Sequence, residues 1–125
     1  MKVFRFERGE WAVTGHGSTG LHATRLATGE GPLHLTCLSV GPGGVIGTHP
    51  APVPQMFLVI AGEGWIARPD GNRVRIAAGE GVRWEQGEDH TSGTDVGFTA
   101  LAIEGASIEL FEPMAVPNPA APDAR

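Results

Sequence analysis

A chain of 125 residues has room for one modest core, and with five Phe, three Trp and no Tyr that core must be mainly aliphatic. A formal charge of −5 with nine Lys and Arg leaves no basic face for nucleic acid or anionic lipid. No apolar run approaches the roughly 20 residues of a membrane span, residues 1–11 carry charges where a secretory leader needs an apolar stretch, and a lone cysteine excludes an internal disulfide. A cytoplasmic protein without nucleic-acid or membrane partners is expected.

Nineteen Gly and ten Pro are too many for a helical chain, since each costs about 1 and about 3 kcal/mol respectively inside a helix. They punctuate short strands instead, predicted in chain order at 21–27, 33–40, 55–60, 64–68, 73–76, 81–84, 98–103 and 107–111. Turn chemistry bounds them: Gly29-Glu30-Gly31-Pro32, Gly41-Pro42-Gly43-Gly44, Asp70-Gly71-Asn72 and Glu104-Gly105. Many short strands at close spacing imply an all-β sandwich or barrel.

Cys37 falls in the second predicted strand and reads as a buried, inert thiol, because free cysteine behaves as a small hydrophobe. Next comes His49-Pro50-Ala51-Pro52-Val53-Pro54, whose alternating prolines force His49 into extended backbone and confine the segment to an edge or loop. The sharpest local signal is the run from Trp65 to Ile76, where Pro69-Asp70-Gly71-Asn72 joins two strand-like arms into a hairpin. Arg73 and Arg75 alternate there with Val74 and Ile76, giving one wet and one packed face. Trp65, at the start of the hairpin, is a candidate subunit contact. The folded unit is expected to span 1–112, with the Pro- and Ala-rich 113–125 as a disordered tail.

Two spacings stand out. The first runs Gly43, five residues, His49, one residue, Ala51, three residues, Gln55, six residues, Gly62. The second runs Gly79, five residues, Glu85-Gln86-Gly87, two residues, His90, three residues, Thr94. Together they resemble the paired motifs of the cupin superfamily, separated by a short gap that the hairpin fills. The resemblance implies a cupin jelly-roll, an antiparallel β-barrel, and a habit of pairing into homodimers.

In that family two histidines and a glutamate from the first motif, and one histidine from the second, hold a divalent metal. Carried over residue by residue, the resemblance keeps His49 and His90 but places Ala51 at the second histidine and Gln55 at the glutamate. His49, Gln55 and His90 are thus the expected metal ligands, for Fe, Zn, Mn or Ni, in a site with no protein anion and open positions. A small anionic chelator is the substrate such a site would prefer. Glu88, two residues from His90, is the candidate general base and a possible replacement for the missing carboxylate.

If Gln55 points inward, Phe57 and Val59 share its parity and line the same space, with Trp84 as a wall, so these three form the expected ligand pocket. His16, His22 and His34 lack ligand spacing and are expected at the surface or in packing. Two functions fit the altered ligand set: a metal-assisted enzyme, or a non-enzymatic binding module with a vestigial metal corner.

Overall fold

The structure, a computed structural model, describes residues 1–111; the tail expected at 113–125 lies outside the described residues. Ten strands are found among the described residues: β1 Lys2–Arg5, β2 Trp11–Val13, β3 Leu21–Ala23, β4 Ala27–Val40, β5 Val45–Pro50, β6 Gln55–Ala67, β7 Arg73–Ala77, β8 Glu80–Trp84, β9 Asp89–Gly93 and β10 Phe98–Leu110. All pairings are antiparallel. The larger sheet runs β1-β8-β6-β10-β4, while β5 and β7 join through β9 and β6, and β2 with β3 forms a separate two-stranded ribbon.

β6 belongs to both faces of the barrel. Its first half pairs with β8 and β10, and its second half with β7 and β9. The sequence predicts two strands here, at 55–60 and 64–68, yet the chain continues between them because Gly62 takes a left-handed conformation at φ 78°. A Cβ at that position would lie 2.2 Å from the Gly97 carbonyl oxygen, so only glycine lets the strand bend while staying paired. The two strands predicted at 98–103 and 107–111 likewise merge into β10, through a register shift between Gly105 and Ser107. The hairpin of Trp65 to Ile76 forms as expected, with Ala67 opposite Arg73 and Gly64 opposite Ile76.

Strand alternation divides the core in two. Phe57, Val59, Val82, Trp84, Phe98 and Ala100 pack inside the barrel with Ile66 and Ile76, whereas Met56 and Leu58 point to the opposite face and join Phe4 and Ile108. Burial of β6 on both faces accounts for its unbroken apolar run, which alternation alone would not predict. Each large apolar side chain so buried contributes about 1.5–3 kcal/mol.

Cys37 is exposed, not buried. The sequence pattern located its strand correctly, but β4 is the last strand of its sheet and nothing among the described residues covers it. His16, His22 and His34 are exposed, as expected. No helix among the described residues is long and apolar enough to cross a membrane.

Candidate functional site

β5 and β9 pair at the barrel rim with His49 directly opposite His90 and Pro50 opposite Asp89. Pro50 holds His49 extended, and the Thr48 and Thr91 hydroxyls hydrogen-bond across the same two strands. The two imidazole centroids lie 4.1 Å apart with their planes at 61°. His49 is exposed, whereas His90 is 5% exposed.

Each ring is fixed by the carbonyl two residues before it. Nδ1 of His49 lies 2.7 Å from the Gly47 oxygen and Nδ1 of His90 lies 3.3 Å from the Glu88 oxygen. A carbonyl can only accept, so in both rings Nδ1 carries the hydrogen and a neutral ring keeps its lone pair on Nε2. Burial lowers the His90 pKa from its ordinary value, and His49 lowers it further, against an opposing pull from the Glu88 carbonyl. His90 therefore favours the neutral form that binds a metal ion.

Trp84 stacks on His90, with centroids 4.1 Å apart and planes 20° from parallel. One face of the indole expected to wall the ligand pocket is thus taken by His90. Gln55 sits opposite Trp84 on the adjacent strand, so both side chains share the inner face. Gln55 Oε1 and Trp84 Nε1 are buried without a hydrogen-bond partner among the described residues. An orphaned buried acceptor costs about 1–3 kcal/mol, a cost that a bound ion or water would remove.

The remaining expected site residues fall around this row of four side chains. Phe57 and Val59 are 2% and 0% exposed and fill the barrel below it, Phe57 lying 5.7 Å from Trp84 and 5.6 Å from Phe98 between ring centroids. Ala51 is 1% exposed and is tied to the 85–88 turn: its N–H donates to the Glu88 oxygen at 3.0 Å and its carbonyl accepts from Gly87 N–H at 2.8 Å. Thr94, at the last motif position, donates its hydroxyl to the Glu63 carbonyl at 2.6 Å and accepts from Gly97 N–H at 2.8 Å. It closes the turn between β9 and β10.

Glu88 meets His90 through its backbone, while its carboxylate faces other partners. The Met1 amino group donates to both carboxylate oxygens, at 3.0 and 2.8 Å, and Glu85 N–H donates to Oε1 at 2.8 Å. Burial raises the Glu88 pKa, but these hydrogen bonds and the nearby positive charges outweigh it, and the net shift is downward. Sequence spacing gave no sign of these bonds, nor of the two carbonyl contacts that orient the imidazoles.

Comparison with solved structures decides the fold. An uncharacterized protein with a double-stranded β-helix domain from Klebsiella pneumoniae superposes with a TM-score of 0.55 at 20% identity, covering 77% of this chain and 89% of that one. A cupin superfamily protein from Desulfitobacterium hafniense matches with a TM-score of 0.54 at 15% identity, covering 63% and 74%. The chain has the fold of a small cupin barrel. A predicted oxalate decarboxylase from Thermotoga maritima also matches, with a TM-score of 0.50 at 24% identity over 62% of this chain and 65% of that one. No family profile and no curated protein matches the sequence.

The donor types at this rim are ones that a borderline transition metal accepts. Among the described residues no cluster of three or more His, Cys, Asp or Glu side chains gathers for a metal. The two Nε2 lone pairs and the orphaned Gln55 oxygen supply neutral donors of the kind that zinc, iron or nickel accept. By donor type they would leave open positions on such an ion.

Proposed function

We propose that this cupin holds one divalent transition metal at the barrel rim and presents it to a small anionic chelating ligand. His49 and His90 would bind through Nε2, with Gln55 Oε1 as a neutral third donor. The observation that carries the reading is the matched orientation of the two rings, each with Nδ1 engaged by the carbonyl two residues upstream. Such backbone contacts fix the tautomer of metal-ligating histidines.

When bound, the ion supplies Lewis-acid polarisation of a ligand oxygen. The residues of the chain do the rest. His90 is held rigid between Trp84 and His49, so one side of the site is preorganised, while exposed His49 leaves the other open to an incoming molecule. Because no protein anion balances the ion, an anionic ligand gains more here than a neutral one. The resemblance in fold to a predicted oxalate decarboxylase, whose name points to a small dicarboxylate, agrees with that ligand class.

The test is elemental mass spectrometry of untagged protein purified without chelator, beside His49→Ala and His90→Ala. Near-stoichiometric metal in the parent and loss in both variants supports the reading; trace metal unaffected by either substitution refutes it. As general base, Glu88 would first have to leave its ion pair with Met1. Retained metal with lost turnover in Glu88→Gln assigns that role, and unchanged turnover removes it.

A second reading, a binding module without catalysis, is favoured by the Glu88 carboxylate, which is engaged by Met1 and not free to act as a base. It requires ligand affinity to be equal with and without metal.

A further inference from the structure

Four side chains in one row cross the larger sheet at the level of the rim. Trp84 of β8 lies opposite Gln55 of β6, Gln55 opposite Glu104 of β10, and Glu104 opposite His34 of β4. Residues directly opposite one another in a sheet project to the same face, with Cβ atoms about 4.5–5.5 Å apart. Trp84 packs inside the barrel, so Gln55, Glu104 and His34 share its face. The row thus continues the rim site across two further strands.

Glu104 differs from the other carboxylates around the rim. Met1 holds the carboxylate of Glu88 and Arg83 that of Glu85, whereas among the described residues no hydrogen bond or ion pair takes that of Glu104. Its charge still reaches the site: burial dominates the lowered pKa of His90, and Glu104 is among the carboxylates that oppose the shift. It is not a third ligand beside the two imidazoles, since no cluster of three His, Cys, Asp or Glu side chains gathers among the described residues. A half-buried anion one strand beyond Gln55 acts instead on whatever occupies the space beside the ion.

A cleft of about 370 Å³ opens at Glu104 and His34, walled by Pro32, Leu33, Pro52 and Val53. The loop that carries Pro52 and Val53 runs from the end of β5, which bears His49, to Gln55. It is pinned over β10, where Gly105 N–H donates to the Pro54 carbonyl at 3.2 Å. Among the described residues that line the cleft, Glu104 is the one acid, and there is no Lys or Arg.

We propose that this cleft takes the tail of the ligand whose chelating end is held at the rim, and that Glu104 selects a tail carrying an ammonium group. The inference rests on the metal reading of the rim and narrows its ligand class from small anionic chelators to amino-substituted carboxylates. An ammonium group entering an apolar cleft loses hydration and needs an anion to offset the loss, which Glu104 supplies. A second carboxylate on the tail would face Glu104 between apolar walls, where like charges repel more strongly than in water.

Lactate, malate and isoserine test the selection, because they share an α-hydroxy carboxylate and differ in a methyl, carboxymethyl or aminomethyl tail. Each is titrated into the full chain loaded with cobalt(II), and the visible absorption reads occupation of the open positions on the ion. Isoserine should bind tightest and malate weakest. In Glu104→Gln the isoserine-to-lactate affinity ratio should fall about tenfold, and the malate-to-lactate ratio should rise by a similar factor. Malate binding at least as tightly as isoserine to the parent, or ratios unmoved by Glu104→Gln, overturns the proposal and leaves the metal reading in place. Cobalt(II) uptake that is equal in the parent, His49→Ala and His90→Ala refutes the metal reading, and this inference with it. Should Glu104→Gln fail to fold, the order of the three ligands on the parent decides alone.

Discussion

His49 and His90 are direct partners in the β5–β9 ladder, although forty residues of intervening chain separate them, and their rings approach to 4.1 Å between centroids. What chemistry that pair performs depends on the groups that flank it.

Gln55 sets the charge of the site. Gln55→Glu replaces the neutral amide oxygen with an anion at nearly constant volume, and metal affinity should rise about tenfold or more, the direction expected for a carboxylate beside a dication. Competition titration with a chromogenic chelator reads the change. Equal or weaker affinity in the variant would show that the side chain at 55 does not reach the ion.

Trp84 supports His90 from the barrel side. Trp84→Ala removes a side chain that is 1% exposed, and urea denaturation should show a loss of about 3–5 kcal/mol. Metal content should fall with it, because the variant also removes the stack that orients the imidazole. A variant with full stability would contradict the packing described here.

Acid should destabilise the metal-free protein through His90. Its folded pKa lies below the ordinary value of 6.5, so on acidification the unfolded chain takes up the proton first. This group's contribution is fully present above the unfolded pKa and is lost progressively as pH falls from there through the folded pKa. Thermal midpoints measured against pH should decline more steeply in the parent than in His90→Gln over that window. Parallel curves would count against a buried neutral imidazole.

Gly93 admits the Trp65 ring. A Cβ there would lie 2.3 Å from the indole Cζ2, so Gly93→Ala must displace the ring and weaken its contact with Arg73. A loss of about 1–3 kcal/mol is expected from such overpacking, with a change in Trp65 emission as the local reporter. The parent thermal midpoint in the variant would mean that the ring moves aside at no cost.

Much of the fold was legible in the chain because glycine and proline punctuate it and the Trp65 to Ile76 hairpin carries its own turn chemistry. β5 and β9 were not read as strands: Val45–Pro50 and Asp89–Gly93 mix glycine, threonine and histidine, and their pairing is with each other across the barrel. The positions of His49, Gln55 and His90 followed from motif spacing. The use of Glu88 did not, since its partners are a chain terminus and a turn amide rather than residues at a motif interval. Cys37 was misjudged for a related reason, because an apolar alternating strand reads the same whether or not its outer face is covered.

The four side chains of the rim come in two pairs from different pairings. Gln55 and Trp84 are brought together by β6 against β8, His49 and His90 by β5 against β9, and the pairs touch where Trp84 stacks on His90. A partly folded chain with either ladder alone would hold half a site, so any ion captured there is captured after barrel closure. Quenching of Trp84 fluorescence by the imidazole would then time that last step of folding.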